Sequence, residues 1–226
     1  MRDTHQTGRS ASPDCPARNP DAPRRYRPSA KRGANAERLR QRLRQSAWSI
    51  FARQGLEGAT IAAIVADSGL ATGSFYNHYG TKQAVFDDLM AGLVTDIRRI
   101  TAAARARADD LGTMLRLSYR DLLDYILTLE GALSFIARNQ HHIRARLYGL
   151  DSTGGLLDDL RQDVARGLAG HAPTPDQLSL IAGLIVANGL ETLLLLQGRE
   201  GGDTAALADL MTGLLMNGIN GLGARL

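Results

Sequence analysis

The stretch that decides the fold is TIAAIVADSGLATGSFYNHY, residues 60–79. It begins with Thr60, a residue type that caps helix N-termini, and apolar residues follow at helical spacing, which predicts a short helix through Asp67. Gly69 then marks a tight turn, and a second helix is predicted over residues 72–79. A helix, a glycine turn and a second helix within 20 residues are typical of the helix-turn-helix arrangement.

The second of these helices has an unusual composition for a core helix. Phe75 is its only large aliphatic or Phe side chain, and residues 69–83 contain no acid. The second helix of a helix-turn-helix enters the major groove of DNA, where phosphates repel carboxylates and attract hydrogen-bond donors. The side chains that can donate to phosphates or bases are Tyr76, Asn77, His78 and Tyr79. These features favour a DNA-contacting helix over a polar surface helix with a buried Phe75.

Residues on both sides of this stretch match the spacing of a known family. They are Ile50, Phe51, Gly55, Thr60, Gly69, Gly73, Tyr76, His78, Tyr79 and Lys82. With them, residues 43–86 resemble the DNA-binding domain of the TetR family of bacterial transcription regulators. The resemblance implies that DNA is contacted by Thr60, Thr72, Gly73, Ser74, Tyr76, Asn77, His78 and Lys82. Many relatives carry a capping Ser where this chain has Ala71, so either Thr72 supplies the cap or a backbone amide stays open to phosphate.

Composition and charge agree with a nucleic-acid partner. Residues 1–90 carry 14 Lys and Arg against 8 Asp and Glu, whereas residues 91–226 carry 13 against 15. A basic front and a faintly acidic rear suggest that the front meets a polyanion such as double-stranded DNA. Cys15 is the only cysteine, and the basic N-terminus lacks the apolar segment of a secretion signal, so a reducing compartment, the cytoplasm, is predicted.

The chain divides into three parts. Residues 1–33 hold five of the seven prolines and 8 basic against 3 acidic residues, which predicts a disordered basic arm that is either a solvated leader or a source of non-specific DNA affinity. A helix-turn-helix DNA-binding domain is predicted over residues 37–97, and a helical effector-binding and dimerisation domain over residues 98–226. No strand pattern occurs, so the fold class is all-α, with a three-helix N-terminal domain.

Helical spacing and capping residues predict the remaining helices. The predicted ranges are 38–53, 82–108, 110–129, 132–148, 152–169, 175–198 and 204–222. The predicted caps are Thr81, Asp109, Ser152 or Thr153, Thr174 and Asp203.

The range 175–198 is apolar enough to raise the question of a membrane span, but Asn188, Glu191 and Thr192 interrupt it. It is therefore predicted to be buried, with the last helix as its partner. Two such helices from each of two chains would form the interface of a homodimer.

An effector pocket is implied by the resemblance, among the helices of residues 91–170. Its candidate lining residues are Met114, Tyr119, Tyr125, Phe135 and Tyr148, although such residues at helical spacing also fit an ordinary core. GLATGSFYNHY (69–79) and RARLYGLDSTGGLLDDLRQDVARGL (144–168) resemble the regulators of unsaturated fatty-acid synthesis within the family. Because those regulators sense acyl-CoA thioesters, an acyl-CoA is one possible effector.

Catalytic and metal-binding motifs are not evident. The sequence contains no nucleophile elbow, phosphate loop, HExxH or CxxC, so no enzyme activity, catalytic residue, metal or cofactor is expected. Neighbouring residues on a helix face different ways, so His141 and His142 could bind a metal only if carboxylates or further histidines converge on them. A polar surface pair is the alternative.

These observations predict a cytoplasmic, ligand-responsive dimeric repressor that binds a near-palindromic operator. No association with a membrane is expected. A transcriptional activator or architectural DNA-binding protein is the alternative within DNA binding. A helical enzyme or adaptor is the alternative from other classes, but neither would explain an acid-free helix that carries Tyr, Asn and His.

Overall fold

The computed structural model describes residues 30–148, 155–198 and 202–222. Within these ranges the regular structure is helical and no strand occurs, which confirms the all-α prediction. The helices are α1 (Ala30–Gly58), α2 (Ile61–Ser68), α3 (Thr72–Tyr76), α4 (Lys82–Arg105), α5 (Leu111–Thr128), α6 (Ala132–Tyr148), α7 (Leu156–Gly167), α8 (Pro175–Leu195) and α9 (Thr204–Leu222), with a 3-10 turn at Ala169–His171.

Most predicted helices lie where they were expected, and the differences are local. Helix α1 begins at Ala30, ahead of the predicted start, while the rest of the predicted basic arm lies outside the described residues. The cap of α5 is Asp110 rather than Asp109, because the Asp110 carboxylate accepts from the Thr113 N–H at 2.9 Å. The caps predicted at Ser152 or Thr153 also lie outside the described residues.

Helix α1 breaks at Gly55, and α6 closes the break. Gly55 has φ +72° and ψ 166°, a conformation that glycine adopts without strain. The break leaves the Leu56 N–H without a helical partner, and it donates to Asn139 Oδ1 at 2.6 Å. The Asn139 amide in turn donates to the Phe51 carbonyl at 3.2 Å. This fully buried side chain therefore joins the end of α1 to α6.

One continuous core runs from the first helices into the rest of the bundle. Phe51, Phe86 and Phe135 are fully buried, and the Phe86 ring lies 5.6 Å from each of the other two. Trp48 stacks on Phe135 at 4.1 Å between ring centroids. The predicted domain boundary at residue 97 lies within α4, so this helix belongs to both parts of the molecule.

The last two helices pack differently from the prediction. Helix α9 packs mainly against α5 and α8 mainly against α7, with a smaller contact between α8 and α9. Thr204 at the start of α9 donates to Asp124 of α5 at 2.6 Å, and Met216 fills the space above Gly112. These contacts join α9 to α5 at two points along its length.

Helix α8 is, among the described residues, the one helix with the length and apolar character of a membrane span, with a mean hydropathy of 1.9. Its Glu191 forms an ion pair with Arg144 of α6. Its buried side chains include Ile181, Ala182 and Ile185. The core helix of a folded bundle meets the same criteria, and α8 contributes to the core in this way.

Candidate nucleic-acid interface

The turn between α2 and α3 is built as the sequence predicts. Thr60 caps α2, and its hydroxyl oxygen accepts from the Ala63 N–H at 3.1 Å. Gly69 ends α2 in the left-handed region, with φ 62° and ψ 25°. The Arg42 guanidinium donates to the Ser68 carbonyl at 2.6 Å and lies 3.4 Å from where a Cβ on Gly69 would be. A side chain at this position would therefore be strained and crowded.

Helix α3 is shorter than predicted and is fixed by two aromatic residues. Phe75 is fully buried, and Tyr79 is 6% exposed. The His78 N–H donates to the Phe75 carbonyl, only three residues back, at 2.9 Å. The chain after Tyr76 therefore forms a tighter turn, and the helix ends three residues earlier than predicted. The prediction that Tyr79 donates to DNA is wrong, because its hydroxyl donates to Asp88 Oδ2 at 2.5 Å inside the protein.

The side chains left on the outer face of α3 are those expected to touch DNA. Thr72, Gly73 and Asn77 are exposed, and Tyr76 is 57% exposed. Ser74 and His78 are half-buried at the edges of this face. The face therefore presents a phenol, an amide and hydroxyls to solvent, all of which can donate hydrogen bonds.

The start of α3 settles one alternative. Its N-cap, Ala71, makes no side-chain hydrogen bond, while its carbonyl accepts from the Ser74 N–H at 2.8 Å. Thr72 is the first residue of the helix, so it does not take the place of a capping Ser.

The acids nearest to α3 in the sequence, Asp67 before it and Asp87 after it, are paired with arginines. The Asp67 carboxylate forms an ion pair with the Arg53 guanidinium at 2.8 Å. Asp87 forms an ion pair with Arg146 of α6. The hydrogen bond from Arg53 holds the pKa of Asp67 below its usual value, although burial opposes it. The negative charges on the helices before and after α3 are thus compensated at these two positions within the protein, which lowers the repulsion that a DNA phosphate would meet.

Asp88 is the centre of a network that holds the turn after α3. Arg40 and Arg44 each approach its carboxylate at 2.6 Å, and Arg40 Nε also donates to the Tyr79 hydroxyl at 3.2 Å. Burial alone would raise the pKa of Asp88, but hydrogen bonds from Tyr79 and Arg44 hold it below its usual value. Burial and the bond to Asp88 raise the pKa of Tyr79, so the phenol stays a donor.

Lys82 has a structural role that the sequence does not reveal. Its ammonium donates to the carbonyls of Glu57 and Ala59 at 2.9 and 3.0 Å, which ties the end of α1 to the first turn of α4. An ammonium has three protons, so one donor direction is left over for a phosphate. The expected DNA contact by Lys82 is compatible with this geometry and stays a prediction.

Sequence reasoning missed Arg40, Arg42, Arg44 and Asp88 as supports of the interface. The available signal was the set of arginines between the apolar residues of α1. Their partners lie 26 to 48 residues away, and helical periodicity carries no information about contacts at that separation.

A second candidate site is an apolar cavity of about 100 Å³ among α4 to α8. Representative lining residues are Leu93, Ile97, Leu115, Ile143, Leu160 and Leu190. Ser118 also lines the cavity, and its buried hydroxyl meets no hydrogen-bond partner in the described part of the chain. The cavity is smaller than ordinary ligand pockets of about 300–1,000 Å³, so it would have to widen to hold a large ligand.

The five residues predicted to line a pocket are dispersed. Tyr119 lines the cavity and donates to the Ile185 carbonyl at 2.9 Å. Met114 lies beside the Arg105–Asp163 ion pair instead. Tyr125 donates to Asp96 at 2.8 Å in an open groove near Trp48. Phe135 is fully buried core, and Tyr148 is 40% exposed.

Comparison with known proteins agrees with this geometry. Residues 43–89 match the family model described as bacterial regulatory proteins, tetR family. The chain is 29% identical over 84 residues to the HTH-type transcriptional repressor KstR2 of Rhodococcus jostii, a match that covers 35% of this chain and 41% of that protein. It is 27% identical over 115 residues to KstR2 of Mycobacterium tuberculosis, covering 48% of each. The matches thus span about half the length of these curated relatives or less.

Solved structures resemble more of the chain. FadR from Bacillus subtilis, in complex with stearoyl-CoA, has a TM-score of 0.66 at 16% identity and covers 79% of this chain and 98% of its own. The ketosteroid transcriptional regulator KstR2 of Mycobacterium tuberculosis has a TM-score of 0.60 at 15% identity, with 79% and 93% covered. At such identities the likeness establishes the fold, an N-terminal helix-turn-helix followed by a helical bundle.

The fold and the donor-rich face of α3 define a helix-turn-helix protein of the DNA-binding class. Within that class, residues 43–89 match the tetR family of bacterial regulatory proteins, in agreement with the residue pattern of the sequence.

Proposed function

We propose that this protein is a transcriptional regulator that binds double-stranded DNA, acting as a ligand-responsive dimeric repressor in the cytoplasm. The observation that carries the proposal is the outer face of α3, where Tyr76 and Asn77 are exposed, together with the pairing of the acids nearest to it in the sequence. Tyr76 would contact a phosphate, and Asn77 is suited to the N6 and N7 edge of adenine. Lys82 would add a phosphate contact through its remaining proton.

A second copy of the chain is the proposed partner of α8 and α9. Leu180, Leu184 and Leu195 of α8 are 64%, 49% and 65% exposed, and Leu210 and Leu214 of α9 are 58% and 66% exposed. Their spacings of four and eleven residues place each set on one side of its helix. Clusters of exposed leucines of this kind are typical of interfaces. A two-fold axis through them would present two copies of α3 to the two half-sites of an operator.

The proposed effector is an apolar ligand that enters the cavity among α4 to α8. Its walls are nearly all aliphatic. The Ser118 hydroxyl, which has no partner within the described residues, would gain a hydrogen bond with a ligand carbonyl or hydroxyl. The names of the similar structures mention stearoyl-CoA and a ketosteroid, which makes acyl-CoA thioesters and steroids the first compounds to test.

Helix α4 is the proposed route from the effector to DNA. It begins at Lys82, beside the helix-turn-helix, and its residues Leu93 and Ile97 line the cavity. Widening the cavity would displace α4 and so change the separation of the two α3 helices of a dimer. A ligand that favours the displaced arrangement would weaken DNA binding by the same free energy by which DNA weakens the ligand.

The DNA-binding part of the proposal is tested by selecting a duplex from a random-sequence library and measuring its Kd by fluorescence anisotropy. We expect the selected duplex to bind at least about 1,000-fold more tightly than a random duplex at the same salt concentration. Equal binding of the two duplexes would contradict sequence-specific regulation. Adding long-chain acyl-CoA, free CoA or a ketosteroid to the complex tests the effector. Release by one compound identifies its class, and release by none of them would contradict the proposed effector classes.

The dimer is tested separately by light scattering. The double variant Leu184→Glu, Leu214→Glu places charges in the proposed interface, and we expect a monomer that binds the selected duplex weakly. Leu127→Glu is the matched control, because Leu127 is 43% exposed on α5, outside the proposed interface. A double variant that stays dimeric would show that the interface lies elsewhere.

A further inference from the structure

Three potential metal ligands meet where α1 and α6 cross. Glu57, near the end of α1, lies beside the adjacent residues His141 and His142 of α6. Each residue offers one nitrogen or oxygen ligand atom, and the three atoms lie within 4.8 Å of one another. The sequence made metal binding by the histidine pair conditional on a converging carboxylate, and the fold supplies one from a residue more than eighty positions away.

The geometry of the pair nearest each other is informative. His142 Nε2 lies 2.9 Å from Glu57 Oε1, yet this buried nitrogen makes no hydrogen bond of acceptable geometry within the described chain. Two ligand atoms that are this close without being aligned for a hydrogen bond can instead both point toward a metal ion. Ligand atoms that are each about 2.1 Å from one tetrahedrally coordinated ion lie about 3.4 Å apart. The observed 2.9 Å is about 0.5 Å shorter than this tetrahedral separation, a difference that a small movement of the exposed Glu57 side chain would remove.

The backbone around these ligands is held on both sides. Next to Glu57, the Leu56 N–H donates to Asn139 Oδ1 at 2.6 Å, and Asn139 precedes His141 by two residues. The Glu57 carbonyl accepts from Lys82 at 2.9 Å. The Phe86 ring packs edge-on against His142, with 5.9 Å between centroids. These contacts hold the backbone at Glu57 and the ring of His142 in place before any ion binds.

We propose that Glu57, His141 and His142 form a binding site for a divalent transition-metal ion of the zinc type. Two imidazoles and one carboxylate are ligands that zinc and its neighbours in the first transition series prefer. Three protein ligands leave at least one coordination position for water or another small ligand. Glu57 and His141 are exposed, so the ion would exchange with the surrounding solution. The nearby Arg146 is paired with Asp87, which compensates its positive charge.

The position of the site gives it a regulatory role, and this part rests on the proposed DNA-binding function. Glu57 lies three residues before Thr60, the cap of the helix-turn-helix, whereas the histidines belong to the bundle. A bound ion would bridge the two and stabilise one arrangement of the DNA-binding helices relative to α6. DNA affinity would then depend on metal concentration, and metal affinity would depend on DNA to the same degree.

The site is tested without DNA by titrating zinc into the full-length, chelator-treated protein against a chromophoric zinc indicator. We expect one zinc ion to bind per chain at the site. Glu57→Gln, His141→Ala and His142→Ala should each weaken its binding by about 10- to 100-fold, the range seen when the support of a bound metal is removed. His171→Ala is the matched control, because His171 is exposed on the 3-10 turn after α7, and it should leave zinc affinity unchanged.

Two results would overturn the proposal. One is the absence of zinc binding by the wild-type chain at 100-fold excess of zinc over protein. The other is binding that the three ligand variants leave unchanged, since the zinc would then be held elsewhere. Circular dichroism of each variant checks its fold, and zinc should raise the thermal midpoint of the wild type but not of Glu57→Gln. Because these readouts need no DNA, failure of the metal site and failure of the DNA-binding proposal are distinguishable.

Discussion

The helix-turn-helix end of the molecule and the bundle behind it are held together by different means. Around α3, directed hydrogen bonds link Tyr79, Asp88, Arg40 and Arg44 into one network. Between α4 and α8, aliphatic side chains surround a cavity, and the buried Ser118 hydroxyl has no partner in the described chain. The first region is held by hydrogen bonds of defined direction, whereas the second is held by the packing of aliphatic side chains.

The difference corresponds to the two proposed tasks. Reading DNA requires side chains at fixed positions, and directed bonds with defined lengths and angles provide them. Accepting an apolar ligand requires walls that can move, and aliphatic contacts have no directional preference. The buried Asn139 at the α1–α6 junction connects the rigid region to the adaptable one.

The largest expected loss of stability tests whether α3 is held in place mainly by one buried side chain. Phe75→Ala removes a fully buried ring, and we expect the free energy of unfolding to fall by about 3–5 kcal/mol. Chemical denaturation monitored by circular dichroism measures this change. Tyr76→Ala, on the exposed face of the same helix, should change it by less than about 0.5 kcal/mol. Similar losses for both variants would contradict the assignment of the two faces.

The next effect tests the junction between the two regions. Asn139→Leu leaves the buried Leu56 N–H and Phe51 carbonyl without partners, and each lost partner costs about 1–3 kcal/mol. We therefore expect the free energy of unfolding to fall by at least about 2 kcal/mol. Gln140→Leu, at an exposed neighbouring position of α6, is the control and should have little effect. A neutral Asn139→Leu would mean that hydrophobic packing alone joins α1 to α6.

Replacing Ser118 is expected to change the free energy of unfolding less, and to raise it rather than lower it. Removing a buried hydroxyl that has no partner avoids its desolvation cost, so Ser118→Ala should leave stability unchanged or raise it by about 1 kcal/mol. The same variant should bind an effector more weakly if the ligand uses this hydroxyl. Thermal unfolding with and without ligand measures both changes. A destabilised Ser118→Ala would indicate that the hydroxyl already has a hydrogen-bond partner in the native protein.

The pH dependence gives the smallest effect. The folded-state pKa of Asp88 is lowered, so its stabilising contribution is complete above the unfolded value of about 3.9 and is lost as pH falls through the folded value. Stability should therefore decline below about pH 4, and the decline should be shallower in Asp88→Asn. Denaturant titrations at a series of pH values between 2 and 6 measure the slopes. Identical slopes would mean that Asp88 is not held by its arginines in solution.

The sequence predicted more of the helix-turn-helix than of the bundle behind it. Thr60 and Gly69 mark the helix-turn-helix by local chemistry, since a cap and a left-handed turn each depend on neighbouring backbone. The cavity was not predictable, because aliphatic residues at helical spacing have the same pattern whether they fill a core or line a space. Of the five predicted lining residues, all within the described ranges, Tyr119 reached the cavity.

Contacts between residues far apart in the chain could not be predicted from the sequence either. Asp88 meets Arg40 across 48 positions, and Glu57 meets His142 at the junction of α1 and α6. Helical periodicity indicates which face of a helix is buried, but it does not indicate which other helix covers that face. The packing of α9 on α5 rather than α8 has the same origin.

Two neighbouring tyrosines test the central claim, that the outer face of α3 reads DNA while its inner face only supports it. The measurement is the Kd of Tyr76→Ala and of Tyr79→Phe for the same selected duplex at one salt concentration. Tyr76→Ala should weaken binding by about 1–3 kcal/mol with unchanged stability. Tyr79→Phe should lower stability by about 1–2 kcal/mol through the lost bond to Asp88, with nearly unchanged Kd. The reverse pattern, or full affinity in Tyr76→Ala, would contradict the account.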